Sequence, residues 1–225
     1  GVFSEDLNAS FGGSTGAVSN NGGTISGLVA GSSNGSAMGA FLDTATAGVK
    51  SGTVTLNYQT AGTVNGVSNG LGTASAGSQD ITVSGNVYRL AEGSATPAPV
   101  NFGNVHLNDL VTQSLTVSNT AANDDFSEGL GVSASDTGAA TISGSVAGLI
   151  AAGSSDNGLS VALDTSVAGN RSGTVELAYT SDGTGTSGLV AIGAGSQSVE
   201  VSGAVYRLAS AQINNAGSFS FGNVH

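Results

Sequence analysis

The densest group of potentially reactive side chains is an acidic segment with Asp124, Asp125 and Glu128, part of which recurs at Glu5 and Asp6. Carboxylate oxygens are the ligands that calcium prefers, and the ion takes about six to eight of them. The spacing matches no established calcium loop, and the cluster is imperfectly repeated. Asp124, Asp125 and Glu128 are therefore calcium candidates, with a solvated loop as the alternative, and no other cofactor is expected.

Imidazole groups, which can bind metals or act as general bases, occur twice, at His106 and His225. Neither has a second His, or any Cys, at the spacing of a metal site. The two residues lie at equivalent positions of a repeated pentapeptide. We therefore expect both to be exposed to solvent or packed between repeats.

The four basic residues also recur in pairs, Lys50 with Arg171 and Arg89 with Arg207. A residue that is present once in each repeat is expected to serve the repeat itself. We predict that Arg89 and Arg207 are structural and pair with a carboxylate between repeats, because the planar guanidinium can donate two parallel hydrogen bonds. Ligand binding is the alternative.

Nothing in the sequence predicts catalysis. Serines and threonines are abundant, but a nucleophile needs an adjacent base, and neither histidine has a suitable setting. The glycine-rich residues 181–188 lack the lysine and the following helix of a phosphate-binding loop. Paired carboxylates can hydrolyse sugars, yet aromatic residues, at 5%, are few for a sugar platform. We expect no enzymatic activity and no catalytic or cofactor-binding residues.

The charge is strongly acidic, with 15 acidic and 4 basic residues and a net charge of -11. Nucleic-acid binding depends on Lys and Arg, so nucleic acids are not expected partners. The longest apolar run, residues 146–152, is far shorter than the roughly 20 residues that cross a membrane. A hydrophobic content of 39% with 37 glycines and no cysteine indicates a folded chain of short strands and tight turns without disulfides.

The sequence is organised around the pentapeptide Phe-Gly-Asn-Val-His, which occupies residues 102–106 and returns unchanged at residues 221–225. These copies define a repeat of 119 residues. Other matches pair residues 42–44 (Leu-Asp-Thr) with 163–165, residues 51–54 (Ser-Gly-Thr-Val) with 172–175, and residues 87–91 (Val-Tyr-Arg-Leu-Ala) with 205–209. Their slightly different spacings indicate that the length differences lie in loops.

Apolar and other residues alternate along most of the complete repeat. Val175, Leu177 and Tyr179, for example, are separated by Glu176 and Ala178. This period of two predicts half-buried strands, and turn signals such as Asp-Asn-Gly at residues 156–158 separate them. The predicted strands lie near residues 100–106, 111–118, 129–135, 139–143, 159–164, 173–180, 188–192 and 197–208. One helical turn is compatible with residues 146–152.

About seven antiparallel strands in roughly 105 residues are typical of an immunoglobulin-like β-sandwich. We therefore predict an all-β fold of tandem sandwich domains, with a closed barrel as the alternative. The predicted organisation is an incomplete repeat at residues 1–91, a linker at 92–99, a complete repeat at 100–209, a second linker at 210–220, and the first strand of a following repeat at 221–225.

A family resemblance lies at the start of the complete repeat. Residues 100–109 (Val-Asn-Phe-Gly-Asn-Val-His-Leu-Asn-Asp) and 113–120 (Gln-Ser-Leu-Thr-Val-Ser-Asn-Thr) resemble the opening of the choice-of-anchor D repeats of bacterial surface proteins, which are similar to Hydin-type immunoglobulin-like domains. The family turn usually carries Gly where this sequence has Asn108. The resemblance implies a secreted or cell-surface domain in tandem copies, with no catalytic residues.

The first repeat lacks counterparts of about residues 101–123, which hold two predicted strands. An incomplete sandwich has an open edge that can pair with another chain. Residues 221–225 of another copy would supply the first missing strand but not the second. The simpler expectation is that the polypeptide continues beyond both ends as part of a longer array.

These observations predict an extracellular structural protein of a bacterial surface, built of repeats as a rod, stalk or filament. Its expected partners are neighbouring copies of itself, in a covalent array or a homopolymeric filament. The alternative is an adhesin that recognises glycan or protein through the loops that differ most between the copies, residues 181–195 and their counterparts near 60–77.

Overall fold

A computed structural model of the chain describes residues 3–212 and 220–225. Those residues form strands and irregular segments and contain no helix, which confirms the all-β prediction. Residues 146–152 are irregular and turn-like, so the possible helical turn is not formed. Among the described residues there is no helix that is long and apolar enough to cross a membrane.

The chain divides into two compact units. Unit 1 comprises Gly1–Arg89, Asp124–Glu128 and Gly185–Gly188, and unit 2 comprises Leu90–Asn123, Gly129–Thr184 and Leu189–His225. The strands of unit 1 are β1 (Leu7–Ser14), β2 (Val18–Asn20), β3 (Thr24–Leu28), β4 (Ala40–Leu42), β5 (Gly48–Thr60), β6 (Thr63–Val64), β7 (Val67–Ser68) and β8 (Ala74–Val87). Those of unit 2 are β9 (Gly93–Thr96), β10 (Val100–His106), β11 (Thr112–Asn119), β12 (Gly129–Gly138), β13 (Ala140–Gly144), β14 (Ser155–Leu163), β15 (Gly169–Asp182) and β16 (Ile192–Tyr206).

Unit 2 is an immunoglobulin-like sandwich. One sheet has the strand order β13-β14-β11-β9 and the other β10-β16-β15-β12. These orders correspond to the D-E-B-A and G-F-C arrangements of immunoglobulin domains, with β10 added beside the last strand. Neighbouring strands are antiparallel except β10 and β16, which run parallel. Two separate sheets confirm the sandwich and exclude the closed barrel for this unit.

The core of unit 2 follows the predicted alternation. Val175, Leu177 and Tyr179 on β15 are buried, whereas Glu176 and Ala178 are exposed. They pack with buried apolar residues of the other strands, including Leu115, Val117, Val161, Val199 and Val201. Successive side chains of a strand point to opposite faces, so one face of each sheet builds this core.

Unit 1 contains only part of the same sandwich. Its larger sheet has the order β3-β1-β5-β8, while β2 and β4 form one pair and β6 and β7 another. Its described residues provide no counterparts of β9, β10 and β11. Its core is correspondingly more open: Ile81 of β8 is 41% exposed, whereas its repeat counterpart Val199 is 0% exposed.

Residues 92–99 are not a linker, which corrects the predicted domain boundary. Gly93–Thr96 is a strand of unit 2 and pairs antiparallel with β11. The Ala95 N–H donates to Gln197 Oε1 at 2.7 Å, and Gln197 Nε2 donates to the Ala95 carbonyl at 2.9 Å. Small residues occur here because the strand lies against the core, where a Cβ on Gly93 would come within 2.5 Å of the Tyr179 ring.

The structure describes only part of the predicted C-terminal elements. Most of the second predicted linker, residues 210–220, lies outside the described residues. Residues 221–225 form no strand, and Phe221 and Val224 are largely exposed. A strand requires a hydrogen-bonding partner, and no described residue of the chain pairs with this segment. Its assignment to a following repeat stays a prediction.

Candidate functional site

The acidic segment 124–128 belongs to unit 1, where Asp124 is bound by Arg89. The Arg89 guanidinium donates to the Asp124 carboxylate and forms an ion pair with it. The other carboxylate oxygen accepts the Phe126 N–H at 3.0 Å and the Ser127 hydroxyl at 3.2 Å. The hydrogen bond from Arg89, with those from the turn, lowers the pKa of Asp124. The ionised Asp124 carboxylate therefore stabilises the conformation of this loop.

The structure does not gather the calcium candidates into a metal centre. Asp124 is bound to Arg89, Glu128 is buried and accepts the Ser187 hydroxyl, and Asp125 is exposed. In residues 3–212 and 220–225, no group of three or more His, Cys, Asp or Glu side chains is arranged to hold a metal ion. The hydrogen bonds of Asp124 and Glu128 fit a structural loop.

A second carboxylate organises a hairpin that the sequence analysis missed. Asp6 is 1% exposed and accepts hydrogen bonds from Thr63 Oγ1 at 2.7 Å, the Asn65 N–H at 3.0 Å and the Gly66 N–H at 2.8 Å. Asn65 and Gly66 both have positive φ, at 51° and 79°, and connect β6 to β7. Asn-Gly is the preferred pair for such two-residue hairpin turns, so this dipeptide was the available sequence signal.

The recurring basic residues do not have equivalent contacts. Arg171 Nη2 contacts Asp164 Oδ2 at 2.6 Å, whereas its counterpart Lys50 donates to Thr46 Oγ1 at 2.6 Å. Arg89 is ion-paired, but its counterpart Arg207 is exposed and belongs to none of the ion pairs found among the described residues. The shared positions therefore reflect the repeat, and the contacts depend on the surrounding loop.

The two histidines are both exposed. His106 Nδ1 lies 3.9 Å from Asp109 Oδ2, and the same oxygen accepts the His106 backbone N–H at 2.7 Å. Asn108, in the turn between them, has a φ of 67°, a left-handed conformation that favours glycine. His225 lies at the exposed end of the described chain. A role for Arg89, Arg207, His106 and His225 between repeats remains a prediction.

The hydrogen-bonded carboxylates of the turns predict how the folding stability of this protein depends on pH. Four aspartates have lowered pKa values because of hydrogen bonds, mainly from Thr63 to Asp6, Arg89 to Asp124, Ser166 to Asp164 and Thr184 to Asp182. A pKa that is lower in the folded state adds stability above the unfolded-state value, about 3.9, and this stability is lost as the pH falls through the folded-state pKa. We expect the urea midpoint to decline below about pH 4.

Asp6→Asn isolates one of these groups. The variant should be less stable than the unmodified chain at pH 7, and its urea midpoint should fall less between about pH 5 and pH 3, because it lacks one carboxylate that acid would protonate. Asp125→Asn, at an exposed position, is the matched control and should follow the unmodified chain. Parallel pH profiles for Asp6→Asn and the unmodified chain would contradict the assignment.

The strand order defines this protein as one of the immunoglobulin-like β-sandwich class. No protein family and no curated protein matches its sequence. Among solved structures, the fibronectin(III)-like modules of CbhA from Clostridium thermocellum are similar, with 13% sequence identity and a TM-score of 0.24 over 94% of this chain and 84% of that chain. The assignment to the class therefore rests on the sheets and strand pairing described above.

Proposed function

We propose that this chain is an extracellular structural protein of a bacterial surface, in which repeated sandwich units form a rod, stalk or filament. The observation that carries the proposal is the repetition of one sandwich design along the chain. β5 and β15 carry the repeated Ser-Gly-Thr-Val segment and belong to equivalent sheets. Copies of one unit add length and surface without requiring a new fold at each step.

The setting of the charged side chains supports a structural role. Asp6, Asp124 and Asp164 each accept hydrogen bonds from nearby turn residues, and two of them are ion-paired with arginine. These contacts stabilise loops and engage the carboxylate oxygens in structural hydrogen bonds. We therefore propose a non-enzymatic protein, and the net charge of -11 favours solvated surfaces over aggregation.

Immunogold electron microscopy of intact cells that produce this protein tests the proposal. Antibodies raised against the purified chain should label material outside the cell envelope, arranged along fibres or stalks. Labelling confined to the cell interior would contradict the extracellular proposal, and scattered surface labelling without fibres would contradict the structural one. Cells with the coding sequence deleted are the control and should lose both the label and the fibres.

An adhesin is the second candidate, because exposed apolar side chains lie in the two loops that differ most between repeats. Val67 and Leu71 are 71% and 81% exposed in the first loop, and Val190 is 86% exposed in the second. Exposed apolar side chains mark a binding surface where they form a contiguous patch. Binding of the chain to a glycan array or to host-matrix proteins, lost in Val190→Ser but kept in Val167→Ser, would favour this candidate.

A further inference from the structure

The outer edge of one strand is covered in the first repeat and largely open in the second. β1 and β12 are repeat counterparts, since each follows the tripeptide Phe-Ser-Glu. In unit 1, β3 pairs antiparallel with the outer edge of β1 and places Leu28 opposite Leu7. In unit 2, the isolated antiparallel bridge of Leu130 with Ile150 is the equivalent pair. Beyond that bridge, β12 pairs in the described part of the chain with β15 alone.

The open part of the β12 edge presents backbone groups that point away from β15. The Leu130 N–H donates to the Ile150 carbonyl, and the Leu130 carbonyl accepts the Ile150 N–H, both at 2.9 Å. Leu130 therefore bonds on the side away from β15. β12 and β15 pair without a register shift, and alternate residues of an antiparallel strand direct their backbone groups to the same side. Val132, Ala134 and Asp136 therefore present N–H and C=O groups at the open edge.

A groove of about 350 Å³ lies beside this edge, within unit 2. Val132 and Ala134 of β12 line one side of it, and Ile142, Val146 and the buried Leu159 line the other. Ala134 is exposed although it shares the core-facing side of β12 with Val132. Successive side chains of a strand point to opposite faces. Alternate side chains of a strand added to β12 would therefore enter this groove.

The charges around the groove favour a basic partner. Asp136 lies on the groove side of β12, and its Oδ2 accepts the Ile142 N–H at 2.7 Å. Asp156 Oδ2 accepts the N–H of Ala147, which follows the groove residue Val146, at 3.5 Å. Among the described residues, no Lys or Arg lines the groove. An inward-pointing charge on an edge strand opposes the addition of an uncharged strand, and a net charge of -11 makes a second copy repulsive.

We propose that unit 2 binds an extended segment of a basic partner protein, which adds to β12 as an antiparallel strand. The segment carries apolar residues opposite Val132 and Ala134 and a Lys or Arg opposite Asp136. β3 provides the register, because in unit 1 Ile25 lies opposite Ala9, the counterpart of Val132. Backbone hydrogen bonds supply affinity in this mode of recognition, and alternate side chains supply specificity. The inference goes beyond the proposed structural role and does not depend on it.

A synthetic peptide, rhodamine-Ser-Lys-Thr-Val-Thr-Ile-Ser-amide, tests this site on the full chain. In the proposed register, its Lys lies opposite Asp136, its Val opposite Ala134 and its Ile opposite Val132. We expect saturable binding by fluorescence polarisation, and slower hydrogen exchange of the Val132 and Ala134 amides by NMR. A peptide with Glu in place of Lys should bind about tenfold more weakly, because it places a like charge opposite Asp136.

Exchange of charge between chain and peptide tests the register. Asp136→Lys should weaken binding of the Lys peptide and strengthen binding of the Glu peptide, each by about tenfold. Asp125→Lys makes the same change at an exposed position of unit 1, and both affinities should stay within about twofold of those of the unmodified chain.

Ala134→Pro tests whether the backbone of β12 takes part in binding. It removes an N–H at the open edge without removing a hydrogen bond to β15, so the fold should persist while binding of the Lys peptide is lost. Far-UV circular dichroism and urea unfolding check the fold of each variant. The comparison of the Lys and Glu peptides on the unmodified chain requires no variant to fold.

Reversal of the peptide preference by Asp136→Lys would support the inference. Absence of saturable binding would overturn it, as would equal effects of Asp125→Lys and Asp136→Lys, or unchanged binding to Ala134→Pro. Dimerisation of the unmodified chain that Ala134→Pro abolishes, measured by sedimentation velocity, would also overturn it, because a second copy would then occupy the β12 edge.

Discussion

Leu177→Ala should destabilise unit 2 by about 2–5 kcal/mol, the range measured for truncation of fully buried leucines. Leu177 lies on β15, a central strand between β12 and β16, and is 0% exposed. Removing its side chain takes apolar surface out of the core and leaves a cavity that flanking strands cannot fill without moving. Hydrogen exchange of the β15 amides, followed by mass spectrometry, measures the loss within this unit.

Two matched variants test whether the loss of stability depends on the burial of the side chain. Glu176→Ala, one residue away on the exposed face, should change stability by no more than about 0.5 kcal/mol. Leu56→Ala, at the repeat-equivalent position of β5, should cost clearly less than Leu177→Ala because Leu56 is only partly buried. Similar losses at positions 176 and 177 would refute the two-face description of β15.

Gly173→Ala should destabilise unit 2 by about 3 kcal/mol, the upper part of the usual range for overpacking. A Cβ at this position would lie 2.3 Å from Ala140 N and 2.4 Å from Thr137 O, both backbone atoms that cannot rotate away. The backbone at the turn from β12 to β13 would have to shift. The midpoint of urea unfolding, with hydrogen exchange at residues 137–140, measures the effect.

Gly193→Ala on β16 is the control for the same chemical change. A Cβ there would meet no atom within 4 Å. Because alanine restricts the unfolded chain, this substitution should be neutral or stabilising by up to about 1 kcal/mol. If Gly173→Ala behaved like Gly193→Ala, the close backbone approach at residue 173 would be wrong. The same approach exists at Gly52, where a Cβ would lie 2.1 Å from Thr15 O.

Strand positions were predicted best where alternation is strong. The predicted strand at residues 100–106 coincides with β10, and the one at 173–180 lies within β15. Prediction was poorer where the chain is rich in Gly and Ser. Residues 188–191 form no strand, and β16 begins at Ile192, five residues before its predicted start. Its first residues are held by pairing with β15, a non-local interaction that local alternation does not report.

One predicted turn was also wrong because pairing with a distant strand decides the local structure. Asp-Asn-Gly at residues 156–158 was predicted to separate strands, but these residues belong to β14. The pairing of β14 with β11 shifts register there, between Leu115 and Val117, so the signal marks a bulge. A bulge and a turn use similar residues, and only the partner strand determines which one forms.

Among the candidate sites, the sequence found the residues but not their contacts. The sequence identified Arg89 and Arg207 as equivalent, yet of these two arginines only Arg89 forms an ion pair among the described residues. Asp6 appeared as an echo of the acidic cluster, although it holds a separate hairpin through three hydrogen bonds. Hydrogen bonds between residues 57 to 60 positions apart depend on how distant loops meet.

The sequence by itself determined the repeat, the all-β class and the buried face of the main strands, because repetition and period-two alternation are local properties of the chain. Only the tertiary structure decided which strands pair, that residues 93–96 complete a sheet, and that β12 lies at an edge. These features depend on hydrogen bonds between strands far apart in sequence. The sequence of one strand does not identify the strand with which it pairs.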